Sequence, residues 1–235
     1  MAMGRPVKRT EIVRILRNLP MFGQLSVAKL RALGRQAHAL QVQSGGVVAR
    51  RGERAPGLMA VASGLVALSL KTGEHEKVLR LVGPGESFAE AMLFLDQPMS
   101  LDATALAETL VVVVPAEPLL ALIGSDGAFA LGMLRSLSRR LQELVMDYEA
   151  TTQHGALERL AAYLESLAAP GLEPATASLP ASKTVIAARL GFTKETLSRL
   201  LRHLADQGII RRAHRNVILL DRSRLSAAAR GARSA

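Results

Sequence analysis

The chain of 235 residues contains no cysteine. That absence excludes structural disulfides, cysteine-ligated zinc and any thiolate-bound iron–sulfur cluster. Long apolar runs are missing too. The longest strongly apolar stretch, residues 110–114, is far short of the ~20 residues of a membrane-spanning helix, so no membrane partner is expected. The opening MAMGRPVKRTEIVRIL lacks the apolar core and cleavage site of a signal peptide, which makes a cytoplasmic location the expectation. Histidines are few and scattered. A cupin-type metal site needs several clustered histidines and a carboxylate on adjacent strands, whereas His75 stands alone among the β-like runs. No nucleophile–base set and no phosphate-binding loop is present either. The sequence therefore argues against an enzyme.

Acidic residues are also in short supply. Thirty Lys/Arg stand against 20 Asp/Glu, a formal net charge of +10 with a pI of about 10.9. This favours an anionic partner. The surplus is uneven, for residues 151–235 hold 13 Lys/Arg against 6 Asp/Glu while the remainder is nearly balanced. A basic C-terminal domain beside a nearly balanced one suits a DNA-binding domain joined to something else.

Taken in order, residues 11–34 carry one or two short amphipathic helices. Ile12, Ile15, Leu16 and Leu19 share a face, Pro20 ends the segment, and Ser26 is placed to cap a second helix closing near Gly34. Over residues 37–115 the texture changes to β-like runs at 47–49, 58–62, 65–70, 78–82, 103–107 and 109–114, punctuated by glycines. Strands at such spacing mean a sandwich, roll or barrel, with room for one small ligand. Residues 115–123 begin helical structure and 125–151 form one long helix. Within it Ala130, Leu134, Leu137, Leu141, Leu144 and Tyr148 alternate four and three apart. That is a heptad seam with Arg139 and Arg140 outside it, and it predicts a parallel homodimer. A helix packed on its own β domain would show a similar stripe. Residues 154–167 read as a further amphipathic helix, followed by a connection rich in Pro and Ala. The tail RSRLSAAARGARSA is low in complexity and expected to fray. The class is α+β, with domains at 1–123, 124–152 and 153–235.

Residues 182–206, SKTVIAARLGFTKETLSRLLRHLAD, read as two short helices broken at Gly191. Leu197, Leu200, Leu201 and Leu204 form the apolar stripe of the second. Glu195, Ser198, Arg199 and Arg202 occupy the other face and offer an acceptor, a hydroxyl and two forked donors. These residue types read base edges in a major groove. Thr193, Lys194 and Thr196 lie at the helix start, where amides and side chains hold phosphate. Arg202, and Arg211, Arg212 and Arg215 in a following two-stranded wing, are further phosphate candidates. The plain alternative is an ordinary surface ion pair between Glu195 and Arg199.

Over residues 18–225 the chain resembles the Crp/Fnr superfamily of bacterial transcription regulators. The resemblance is carried by RGERAPGLMAVASGLVAL, KTGEHEKVLRLVGPGESFAEAMLF and ATALAETLVVVVP, then by LPASKTVIAARLGFTKETLSRLLRHLADQGIIRR and NVILLDRSRL. The phrase SFAEAMLFLDQP is similar to the cysteine-free Dnr-like branch. The resemblance implies a β-roll of the cyclic-nucleotide-binding, jelly-roll-like kind, a long dimerisation helix and a C-terminal winged helix-turn-helix. It implies a homodimeric activator that contacts RNA polymerase. The Glu-x-x-Ser-Arg signature falls on Glu195, Ser198 and Arg199, implying an operator similar to TTGAT-N4-ATCAA.

The resemblance is less direct about the effector. Glu90 matches the glutamate that takes the ribose hydroxyl in cyclic-nucleotide members, and it reads equally as a loop anchor. Where the phosphate arginine and its serine belong, this chain has Met99-Ser100-Leu101-Asp102. Cyclic AMP is therefore not expected, and Phe88, Glu90, Met99 and Ser100 form the candidate effector pocket. Haem, with nitric oxide as the signal, is the candidate cofactor through His38, His75 or His154, with Pro6 a remote ligand. His203 and His214 belong to the DNA domain. A cyclic-nucleotide-responsive regulator and a regulator without any ligand are the alternatives.

Overall fold

The computed structural model describes residues 7–73, 75–168, 175–213 and 216–231. Pro6, His214 and Arg215 lie outside the described residues. The chain forms two compact units that divide between Arg140 and Leu141, inside the longest helix. It is an α+β protein.

Unit one opens with α1 (Arg9–Asn18) and α2 (Val27–Gln36), followed by β1 (His38–Val42), β2 (Val47–Ala49), β3 (Gly57–Ser63), β4 (Val66–Thr72), β5 (His75–Val82) and β6 (Ser87–Phe88). A short helix α3 (Glu90–Leu95) precedes β7 (Asp102–Ala105) and β8 (Thr109–Pro115); then come α4 (Ala116–Ser125) and the start of α5 (Gly127–Gln153). The strands make two antiparallel sheets, ordered β1-β8-β3-β6 and β2-β7-β4-β5. The continuous valine run of β8 has a simple cause. Val111 and Val113 face a core between the sheets, with Met59, Val61, Leu68 and Phe88. Val112 and Val114 face the other way, onto Leu16, Phe22, Leu30, Leu119 and Phe129 of the helical layer. A strand buried on both faces loses polar alternation. Gly64 turns β3 into β4 at φ 87°, where an added Cβ would lie 2.4 Å from Thr109 Oγ1.

Ser26 caps α2 as anticipated, accepting from the Lys29 amide at 3.3 Å. Asp126 caps α5, accepting from the Phe129 amide at 3.0 Å and the Lys29 ammonium at 2.7 Å. The Lys29 bond first, and that amide second, hold its carboxyl below the usual carboxylate range. On α5, Phe129 and Met133 pack into the core, Phe129 stacking on Phe22 with centroids 5.5 Å apart. The heptad residues do not. Leu134, Leu141, Leu144 and Tyr148 are 59–71% exposed, and Leu137 is half-buried. Packing against its own β domain does not account for the seam.

Unit two continues α5 and adds α6 (Ala156–Leu167), β9 (Thr176–Ser178), α7 (Lys183–Leu190), α8 (Lys194–Asp206), β10 (Ile210–Ala213), β11 (Asn216–Leu219) and α9 (Arg222–Ala229). The wing is a three-stranded sheet, β10-β11-β9, one strand more than the two-stranded reading. The tail, as far as Gly231, is a second correction. Asp221 caps α9 through the Arg224 amide, Leu225 is fully buried, and Ser226 bonds Glu165 of α6. One capping carboxylate and one leucine anchor hold it despite the poor composition. No single helix among the described residues is long and apolar enough to cross a membrane.

Candidate nucleic-acid interface and ligand pocket

Local sequence builds the bihelical element. Ser182 caps α7 through the Val185 amide, and Gly191 ends it in the left-handed conformation at φ 72° that glycine adopts freely. Thr193 then caps α8 by accepting from the Thr196 amide at 3.2 Å, so this hydroxyl is structural. Leu197, Leu201 and Leu204 are buried, whereas Leu200 is only half-buried. Arg159 of α6 lies 4.9 Å over the Phe192 ring between the two helices. Asp147 of α5 pairs with Arg189 of α7.

With the leucines committed inward, Glu195, Arg199 and Arg202 stand exposed, as do Thr193 and Lys194; Ser198 and Thr196 are half-buried. Glu195 and Arg199 form no ion pair with one another. An exposed carboxylate and guanidinium that leave each other free, at the start of a capped helix, are available to a partner. Arg211 and Arg212 are exposed on the wing.

In unit one, Phe88, Glu90, Met99 and Ser100 do converge. They line a cavity of about 180 Å³ with Leu68, Arg80, Met92 and Leu101. Phe88, Glu90 and Met99 are buried and Ser100 is exposed. Two arginines here escaped the sequence reading. Arg80 of β5 reaches the cavity, donating to the Ser87 carbonyl at 3.1 Å and to Glu86 at 2.6 Å. The pocket thus holds a cation, supplied by the facing strand rather than by residues 99–102. Asp102 turns away to accept from the Arg51 amide at 2.9 Å.

Arg140 is the second. The heptad pattern sets it outside the seam, yet its guanidinium turns inward to pair with Glu90 and to donate to Ser87 Oγ at 2.9 Å. Ser87 Oγ in turn donates to the other Glu90 oxygen at 2.6 Å. Both carboxylate oxygens are engaged. The segment around Glu90 is also strained, since Ala89 and Asp96, at either end of α3, have φ of 72° and 48°. Such non-glycine residues cost roughly 1–3 kcal/mol each and persist only where their surroundings hold them. Arg140 pairs with Glu90 at one end of α3, and the exposed Arg54–Asp96 pair, 2.8 Å, lies at the other.

His38 and His154 are exposed, and the His75 side chain lies outside the described residues. Among the described residues no group of three or more His, Asp or Glu is placed to hold a metal ion.

Residues 39–126 match the family model of the cyclic nucleotide-binding domain, and residues 158–228 that of the Crp-like helix-turn-helix domain. The chain is 33% identical over 162 residues to the cyclic AMP receptor protein of Thermus thermophilus, covering 68% of this chain and 74% of that protein. It is 30% identical over 206 residues to the probable transcriptional regulator flp of Lacticaseibacillus casei, covering 86% and 92%. Among solved structures, FixK2 from Bradyrhizobium japonicum superposes with a TM-score of 0.72 at 25% identity, covering 82% of this chain and 96% of that one.

Proposed function

The chain belongs to the Crp/Fnr family of transcriptional regulators, and from that premise we propose that it is a homodimer whose α8 helices read an Fnr-like palindrome. The observation that carries the reading is the free Glu195/Ser198/Arg199 face of a helix whose opposite stripe is buried. Arg199 takes a guanine O6 and N7 in bidentate fashion, Glu195 accepts from an amino group of cytosine or adenine, and Ser198 lies against thymine. Lys194, Thr196 and Arg202 hold phosphate, joined by Arg211 and Arg212. Thr193 contributes by fixing the helix start. A dimer sets two such helices about one helical turn apart, which matches two half-sites. RNA polymerase is the further partner, and the cysteine-free Dnr-like branch is the chain's place within the family.

Arg199→Ala is expected to weaken binding to TTGAT-N4-ATCAA by ~1–3 kcal/mol while leaving the helical circular dichroism unchanged. The check is a binding isotherm against this operator and a guanine-substituted one. Undiminished discrimination between them would sink the base-reading role.

The effector side of the proposal is a ligand in the cavity beside Glu90. Arg140 neighbours Leu141 of the heptad seam, so a ligand that draws Glu90 away from Arg140 acts on the dimerisation helix itself. Cyclic AMP is not that ligand, because residues 99–102 supply no phosphate arginine and Arg80 is already bonded to Glu86 and to the Ser87 carbonyl. A melting curve with millimolar cyclic AMP is expected to stay in place. Binding at a Kd a hundredfold below the added concentration would stabilise the fold by ~2.7 kcal/mol and shift the curve by several degrees.

A further inference from the structure

The near-balance of charge over the first 150 residues is the sum of two opposed regions. Residues 1–36 hold eight Lys/Arg against a single acidic residue, Glu11, whereas residues 37–150 hold nine against 13 Asp/Glu. The basic excess is displayed by α1 and α2. Ile12, Leu16, Leu30 and Leu33 are buried, and the helices approach so closely at Gly34 that a Cβ there would meet Val13 Cγ2 at 2.6 Å. That packing leaves Lys8, Arg9, Arg14, Arg17, Arg31 and Arg35 exposed. Arg17 stands one turn beyond Val13, and Arg31 and Arg35 lie on either side of Gly34 in sequence. All three arginines are thus exposed on the two helices that meet at this contact. Arg14 has Glu11 at 3.9 Å, but no acidic side chain among the described residues pairs with Arg17, Arg31 or Arg35. Arg31 and Arg35 are also four apart on one helix, a like-charge spacing that weakens a helix on its own. A surface that gathers unneutralised cations in this way is stabilised by an anion from outside.

We propose that the α1–α2 face is a second contact for double-stranded DNA, sequence-independent and outside the operator read by α8. The inference rests on the DNA-binding reading above and adds a separate surface to it. The chemistry selects among anionic partners. A protein partner needs aromatic or aliphatic anchors seated in desolvated pockets, and the large apolar side chain exposed on these two helices is Val27 alone. A small anion needs donors converging on one point, whereas Arg17, Arg31 and Arg35 are exposed and divided between two helices. Cations spread over two helices suit a chain of regularly spaced phosphates, whose released counterions drive such binding.

The test uses the full chain and its variant Arg17→Gln/Arg31→Gln/Arg35→Gln, whose changes are all at exposed positions. Each is titrated over a range of salt with an operator duplex of roughly 22 base pairs, enough for two half-sites, and with the same operator extended to about 80. On the short duplex the two proteins bind alike. On the long duplex the wild type shows a steeper fall of log K with log salt, by about 0.9 for each added phosphate contact. The variant loses that increment and about tenfold in affinity at low salt. Equal slopes for the wild type on both duplexes, or a variant that keeps the increment, overturn the proposal. A variant that binds both duplexes like the wild type yet fails to activate transcription also overturns it, in favour of an acidic protein partner. Failure of the wild type on the short operator would strike the base-reading assignment instead, and the slope difference on long DNA would still decide this one.

Discussion

Replacing Arg140 by alanine is expected to lower the stability of the protein by about 3 kcal/mol. That is the lower end of the range for breaking a buried ion pair, chosen because the guanidinium remains 20% exposed. The penalty does not measure the worth of the pair. It arises because Glu90, 4% exposed, is left charged with Ser87 as its remaining partner. Arg140→Ala with Glu90→Gln should therefore be more stable than Arg140→Ala alone, since an amide in that place carries no charge to strand. Urea unfolding followed by far-ultraviolet circular dichroism, over the four proteins of the cycle, gives the coupling. Additive losses would show that the two side chains are neighbours without energetic dependence, and would remove the link proposed between the pocket and α5.

The second large effect concerns the seam. Leu141→Asp with Leu144→Asp is expected to convert a dimer into a folded monomer. Both leucines are about 60% exposed in the single chain, so the change leaves the fold of the protomer intact. In a dimer each buried leucine contributes about 1.5–3 kcal/mol, and four are lost together. Dimer dissociation should rise by about three orders of magnitude or more, even after the cost of side-chain ordering is allowed for. Operator affinity falls with it, because a monomer engages one half-site at a time. Sedimentation at micromolar concentration reads the result, and a variant that still sediments as a dimer would move the dimer contact elsewhere on the chain.

The helical parts were legible because their causes are local. Ser26 accepts the amide that its place in the sequence predicts, and Gly191 adopts the left-handed conformation that separates α7 from α8. Leucines three and four apart sorted α8 into a buried and an exposed face with one misplacement, Leu200. Elements with little sequence of their own were not legible. Strands β1, β6 and β9 and helix α3 have two to six residues each and exist by pairing or packing with distant segments. The tail misled for the same reason, since its order comes from Leu225 and from a bond to Glu165 on α6.

The sequence by itself determined the output of this protein: a basic helix-turn-helix with Glu195, Ser198 and Arg199 on its free face, and a leucine seam on the helix before it. Those features repeat at helical spacing, and a helix converts spacing into direction without help from the rest of the chain. The tertiary structure decided the surroundings of Glu90. Arg80 and Arg140 lie ten residues before and 50 residues after Glu90 in the chain, on a strand and on a helix. Their charge is satisfied at the pocket through contacts that only the folded β domain and the start of α5 bring together. No periodicity records such a meeting, because a buried carboxylate selects its partner by distance in space, and that distance is set by the packing of the whole unit.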